Sequence, residues 1–274
     1  FGRTLQVESP ERFGGCVDLD LNAEKISNEI EMLTGELCCN SGETEIAFRK
    51  EARHVARLVK LKLSETLRPS PELKSDSSYL ITGGMGALGL QVAKYLATHG
   101  AGHLVLVSRS GVSSADQRVA LQAIEATGVR VDVVSVDIGK AEDVRRLLAT
   151  LPRLRGIVHA AGVLADGMLM QQSLESFKKV AVPKVRGAWL LHTQTQDQPM
   201  DFFVLFSSVA SIIGSLGQSN YAASNAFMDG LAHLRRGQGL RASAINWGPW
   251  ADVGMAASDV VMQRLTRDGW QPMH

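Results

Sequence analysis

From residue 78 onward, the apolar residues fall into short blocks, separated by longer stretches in which they recur every third or fourth position. The blocks predict strands near 79–82, 103–108, 130–136, 154–159, 201–207 and 241–247. The intervening stretches predict helices near 87–99, 115–127, 141–150, 174–193 and 220–237. Strand and helix in strict alternation imply a doubly wound α/β fold, a parallel sheet with helices on both faces. In such a sheet ligands gather at the carboxyl ends of the strands.

The chain before residue 78 has a different character. It holds all three cysteines, and no glycine turn in it is joined to a strand. Cys16–Leu21 predicts a strand, and Ala23–Leu37 has helical spacing at Ile26, Ile30 and Leu33. Residues 45–61 are mixed and basic. A stretch rich in serine and proline, Ser64–Ser78, predicts a linker. The expected organisation is therefore a first unit over 1–67, a linker over 68–77 and a second unit over 78–274.

Composition narrows the function. A chain of 274 residues can bury a sizeable core, and a net charge of +1 argues against nucleic acid or an anionic membrane as the main partner. No apolar run is long enough to span a bilayer. Cys16, Cys38 and Cys39 are not spaced with histidines as a metal site, so no metal is expected, and the setting implied is reduced and cytoplasmic.

The first candidate chemistry follows the strand at 79–82. Gly84, Gly86 and Gly89 stand at the spacing of a dinucleotide turn, between a strand and a helix. The first glycine allows the tight turn, the second lets backbone approach a pyrophosphate, and the third lets the helix pack on the strand. The helix that begins at Ala87 and Leu88 offers its N-terminal amides to the phosphates. The same residues read Thr82-Gly83-x-x-x-Ala87-x-Gly89, which resembles the glycine loop of the short-chain dehydrogenase/reductase superfamily and implies hydride transfer. Twenty residues beyond Gly89, the second strand ends at Ser108-Arg109. Arginine in place of the usual carboxylate suits a 2′-phosphate, hence NADPH. Asp137 with Ile138, and the turn Ala160-Ala161-Gly162, resemble the superfamily's adenine-side aspartate and cofactor-flanking turn.

The reaction itself is expected between Phe202 and Trp250. Ser208 ends a strand there, and Tyr221 begins a helix. A phenol of ordinary pKa about 10 gives up a proton only beside positive charge, and the superfamily's lysine position, four residues after the tyrosine, is Asn225. The long segments VPKVRGAWLLH and SSVASIIGSLGQSNYAASNA account for the exchange. They resemble the ketoreductase region of modular polyketide synthases, akin to that of animal fatty acid synthase, in which lysine and asparagine trade places. The resemblance runs from Tyr79 to about Gly254 and more loosely back to Phe1. It implies that Tyr221 is the general acid, that Lys184 lowers its pKa and holds the ribose, that Ser208 bonds the substrate carbonyl and that Asn225 orders a relay water. It further implies that Gly248-Pro249 flanks the nicotinamide, and that Trp250 and Met255 lie at the base of a substrate lid.

By the same resemblance residues 1–67 are the tail of a truncated, Rossmann-like structural subdomain. The chain is expected to be a segment of a longer megasynthase that continues through another helix and strand. Its partners would be the neighbouring domains and an acyl carrier protein bearing a phosphopantetheine-linked β-ketoacyl chain. In the family a Leu-Asp-Asp signature accompanies D-alcohols, and a tryptophan eight residues before the tyrosine accompanies L-alcohols. Here the positions read Leu164-Ala165-Asp166 and Ile213, with Gln218 nearby, so the D-β-hydroxyacyl product is expected. The alternatives are a non-catalytic scaffold region and a free-standing reductase of small ketones.

Overall fold

The computed structural model describes residues 1–20, 26–39, 41–60, 72–151, 153–250 and 273. Its larger sheet has six parallel strands: β4 (Ser78–Thr82), β5 (His103–Ser108), β6 (Arg130–Ser135), β7 (Leu154–His159), β8 (Phe202–Ser208) and β9 (Ser243–Trp247). They lie in the order β6-β5-β4-β7-β8-β9. The expected doubly wound sheet is therefore present, Rossmann-like in order, and the winding reverses between β4 and β7. That reversal opens a crevice at the strands' carboxyl ends.

Why the central strands carry apolar residues side by side is visible in the core. Along β4, Tyr79 and Ile81 join one buried cluster while Leu80 joins the other; in β5, Leu104 and Leu106 part in the same way from Val105 and Val107. A strand covered on both faces needs an apolar residue at every position. Each such side chain taken from water contributes about 1.5–3 kcal/mol.

The helices that cover the sheet are α3 (Ala87–Thr98), α4 (Ala115–Glu125), α5 (Ala141–Ala149), α6 (Leu174–Ala181), α7 (Gly187–Thr193) and α9 (Ser219–Gly237), with the short α8 (Ala210–Ile213) before the last. Ser114 caps α4 and trades hydrogen bonds with Gln117, which satisfies amides the first turn leaves bare. The single helix expected over 174–193 is broken. Val182–Arg186 forms one π-turn between α6 and α7, because Pro183 has no N–H to continue the ladder. Wide turns of this kind gather at functional sites, and this one carries Lys184.

The first 60 residues form α1 (Gly2–Glu8), β1 (Cys16–Asp18), α2 (Ile26–Cys38), β2 (Glu45–Arg49) and β3 (Ala52–Val55). Strand β1 pairs parallel with β2, and β2 antiparallel with β3. The strand expected over Cys16–Leu21 ends at Asp18, and residues 21–25 lie outside the described set. Residues 61–71, which take in the start of the expected linker, are likewise outside it. Lys74–Ser77 packs at the foot of the sheet, with the Lys74 amide donating to the Tyr79 hydroxyl at 2.7 Å and Ser77 buried.

Candidate active site

The crevice floor is two backbone turns in contact. Gly83, at φ +68, follows β4, and a Cβ there would lie 2.8 Å from the Ala161 backbone after β7. The sequence credits the turn to Gly84, but the left-handed residue is Gly83. Gly84 is instead small because a Cβ would strike Leu106 of β5 at 2.8 Å. Gly89 fills the expected packing role, since a Cβ would sit 2.3 Å from the Gly83 carbonyl. Gly86 differs from all three. It is exposed, and its only close neighbour would be the Gly83 oxygen at 3.1 Å.

Gly86 also begins α3 without any side-chain cap, so the amides of Ala87, Leu88 and Gly89 stay available to an anion. This open cradle fits a pyrophosphate. Arg109 is exposed just past β5, paired with no carboxylate among the described residues; Ser108 beside it bonds the Gly111 carbonyl at 3.2 Å. Asp137 is half-buried and accepts from the Gly139 amide at 3.0 Å. The Ile138 side chain is in the core under Gly187. Thr82 is fully buried and its hydroxyl meets His159 Nδ1 at 2.7 Å, so it shapes the loop from beneath.

Across the reversal, four side chains from three elements converge. The π-turn sends Lys184 inward until it is 3% exposed, and its stem passes so near Gly162 that a Cβ there would stand 2.9 Å away. Lys184 Nζ donates to the Phe206 carbonyl of β8 at 3.1 Å and to Asn225 Oδ1 of α9 at 3.0 Å, and lies 5.2 Å from the centre of the Tyr221 ring. Asn225 Nδ2 donates to the Tyr221 carbonyl at 2.9 Å. Ser208, at the end of β8, accepts from the Ala210 amide at 3.2 Å, and its hydroxyl acts to lower the pKa of the Tyr221 phenol.

Burial governs the electrostatics. It lowers the Lys184 ammonium from 10.5 to about 8, against the pull of the Asp229 carboxylate. It raises the Tyr221 phenol, while the hydrogen bonds from Ser208 and Asn225 work in the opposite direction. Burial and then the Lys184 charge push His159 down to about 3, so this histidine is neutral. Among the described residues, no cluster of metal-ligating side chains occurs and no helix is long and apolar enough to cross a membrane.

A family model described as the KR domain matches residues 77–252. Polyketide synthase GfsA of Streptomyces halstedii is 40% identical over 280 residues, covering 99% of this chain. A 6-methylsalicylic acid synthase of Arthrobotrys oligospora is 37% identical over 287 residues, covering 93%. The chain belongs to the ketoreductase domains of modular polyketide synthases, in the short-chain dehydrogenase/reductase superfamily. This ketoreductase domain spans only 4% of the length of GfsA and 15% of the fungal synthase. A solved structure of A-type ketoreductases from a modular polyketide synthase aligns with a TM-score of 0.91 at 37% identity, covering 99% of this chain and 57% of that one. The first ketoreductase of the tylosin synthase aligns at 0.88 and 35%, covering 99% and 58%.

The domain holds a second layer that the sequence did not single out. Behind the four side chains, Asn246 Nδ2 reaches Ser207 Oγ at 3.2 Å, Ser211 Oγ at 2.8 Å and Asp229 Oδ1 at 3.1 Å. Ser207 in turn donates to the Asn225 carbonyl at 3.3 Å. Asp229 is thus the carboxylate that supports the Lys184 charge from a distance. Its only sequence signal was a position eight residues past Tyr221 on the same helix, two turns along.

In the loop after β7, Asp166 is exposed and accepts from Gln218 at 3.0 Å. Leu164 is half-buried, and Ile213, 38% exposed, ends α8. After β9 come Gly248, Pro249 and Trp250, the last with its ring 5.1 Å from that of Trp247. Pro249 and Trp250 meet Met273. Met255 lies outside the described residues.

Proposed function

We propose that this domain uses NADPH to reduce a β-ketoacyl thioester, carried on an acyl carrier protein, to the D-β-hydroxyacyl thioester. The observation that carries the reading is the meeting of Lys184, Asn225, Tyr221 and Ser208 beside an uncapped glycine turn. A bound nicotinamide cofactor supplies the hydride. Gly86 and the first amides of α3 would hold its pyrophosphate, and Arg109 its 2′-phosphate. Ser208 donates to the substrate carbonyl oxygen, and the Tyr221 hydroxyl gives that oxygen a proton as negative charge develops on it. The ammonium of Lys184, near the ring, steadies the phenolate that remains.

Three features support the finer parts. Arg109 stands where a ribose carboxylate would otherwise be, which favours the phosphorylated cofactor. Leu164 and Asp166 keep two of the three D-type signature positions, and Ile213 replaces the L-type tryptophan, which favours the D-alcohol. The relatives' great length favours neighbouring synthase domains and a tethered substrate. The test is NADPH oxidation with an unbranched β-ketoacyl thioester on a carrier protein, followed by chiral chromatography. D-alcohol is expected. A mainly L-alcohol overturns the stereochemical part, and absence of turnover overturns the whole.

A further inference from the structure

We propose that Glu8, on the N-terminal helix, is a positioning residue for product stereochemistry, an inference that rests on the function above. Its carboxylate clasps two loops far away in the sequence. Glu8 Oε2 accepts from the Leu169 amide at 2.6 Å and Oε1 accepts from the Gly217 amide at 2.9 Å. The Gly167 amide also donates to the Gly217 carbonyl at 2.8 Å, so both loops close on each other under the carboxylate.

The clasp leads by hydrogen bonds to the proton donor. Asp166 on the first loop is bonded to Gln218 on the second. The Ala165 carbonyl accepts from Asn220 Nδ2 at 2.8 Å, and Asn220 Oδ1 accepts from the Tyr221 amide at 2.7 Å. The backbone of the donor, the loop carrying the D-type signature and Glu8 are thus one connected unit. A carboxylate suits this place because it accepts from two separate amides and donates to neither, and charge-assisted bonds are the stronger kind.

Helix α1 is itself fixed. Arg3 pairs with Glu45 of β2 and donates to the Ser211 carbonyl of α8. Gly214, at φ +76, has no room for a side chain, since a Cβ would lie 2.5 Å from the Arg3 carbonyl. The helix therefore presents Glu8 at a set depth, and the two loops take their spacing from it. That spacing bounds the side from which an acyl chain reaches Tyr221, and the side of entry decides the hand of the alcohol.

The variant is Glu8→Gln, which keeps size and one acceptor but turns an N–H toward the other amide; Gln6→Ala, whose side chain meets Thr44 alone, is the control. In Glu8→Gln the minor enantiomer should rise, and kcat/KM for the thioester should fall about tenfold. The KM for NADPH should stay unchanged. Unchanged enantiomer ratio and kcat/KM, with only a lower melting temperature, overturn the proposal and leave Glu8 an anchor. Should Glu8→Gln not fold, Glu8→Asp, which keeps the charge but falls one methylene short, is expected to move the ratio in the same direction, and an unmoved ratio counts against the clasp. Amide exchange in the wild-type chain separates this idea from the reaction it serves. Leu169 and Gly217 should be jointly protected whether or not the thioester is reduced, and fast exchange at both refutes the clasp.

Discussion

Replacing Asn225 by Ala should move the alkaline limb of the pH profile to lower pH. Lys184 has two hydrogen-bond acceptors, the Phe206 carbonyl and Asn225 Oδ1, and burial already holds its pKa near 8. In the proposed mechanism reduction needs the protonated lysine, so wild-type kcat/KM should fall as pH rises through about 8. Loss of a hydrogen bond to a charged group costs about 1.5–3 kcal/mol, which at about 1.4 kcal/mol per unit is a downward shift of roughly one to two units. The limb should therefore appear near pH 6 to 7, and activity at pH 7.5 should drop several-fold or more. Unfolding does not mimic this. A lysine whose folded pKa is depressed costs stability below about pH 8, and that cost of about 3 kcal/mol is relieved as pH rises toward 10.5. The assay is NADPH oxidation with a β-ketoacyl cysteamine thioester at subsaturating concentration across pH 5.5–9.5. An alkaline limb in the same place for Asn225→Ala and wild type would refute the reasoning.

Arg109→Ala should raise the KM for NADPH by roughly ten- to a hundredfold and leave NADH nearly unchanged, since one charge-assisted contact of about 1.5–3 kcal/mol is lost. Steady-state kinetics with both cofactors checks it, and equal wild-type use of the two would contradict the role. Gly83→Ala combines a left-handed φ with a Cβ 2.8 Å from Ala161, so it should lose about 1–3 kcal/mol of stability and weaken NADPH binding. Thermal melts and fluorescence titration read both effects.

Much of this was legible because burial imposes pattern. The two-sided sheet forces adjacent apolar residues in its central strands, and the doubly wound fold follows from strand and helix alternating. What escaped notice had no local signal. The hairpin between β2 and β3 turns on Lys50-Glu51, both at positive φ, where glycine or asparagine would have announced it. The periodicity over 174–193 reads as one helix, and the π-turn that breaks it depends on how Lys184 seats against β8 and α9. The resemblance gives Asn225 a relay water, and its fully buried side chain is engaged by Lys184 at one end and by the Tyr221 carbonyl at the other. The position supports holding the lysine. Thr82 reads as a cofactor contact, and its hydroxyl bonds His159, a histidine the sequence did not single out. Such pairings join residues 77 positions apart, and spacing cannot reveal them.

The most direct test of the account is single-turnover reduction by Tyr221→Phe, with NADPH binding followed separately by fluorescence. The phenol is the only proton donor assigned to the carbonyl, so turnover should vanish while cofactor affinity stays near wild type. Wild-type turnover in Tyr221→Phe would contradict the central claim.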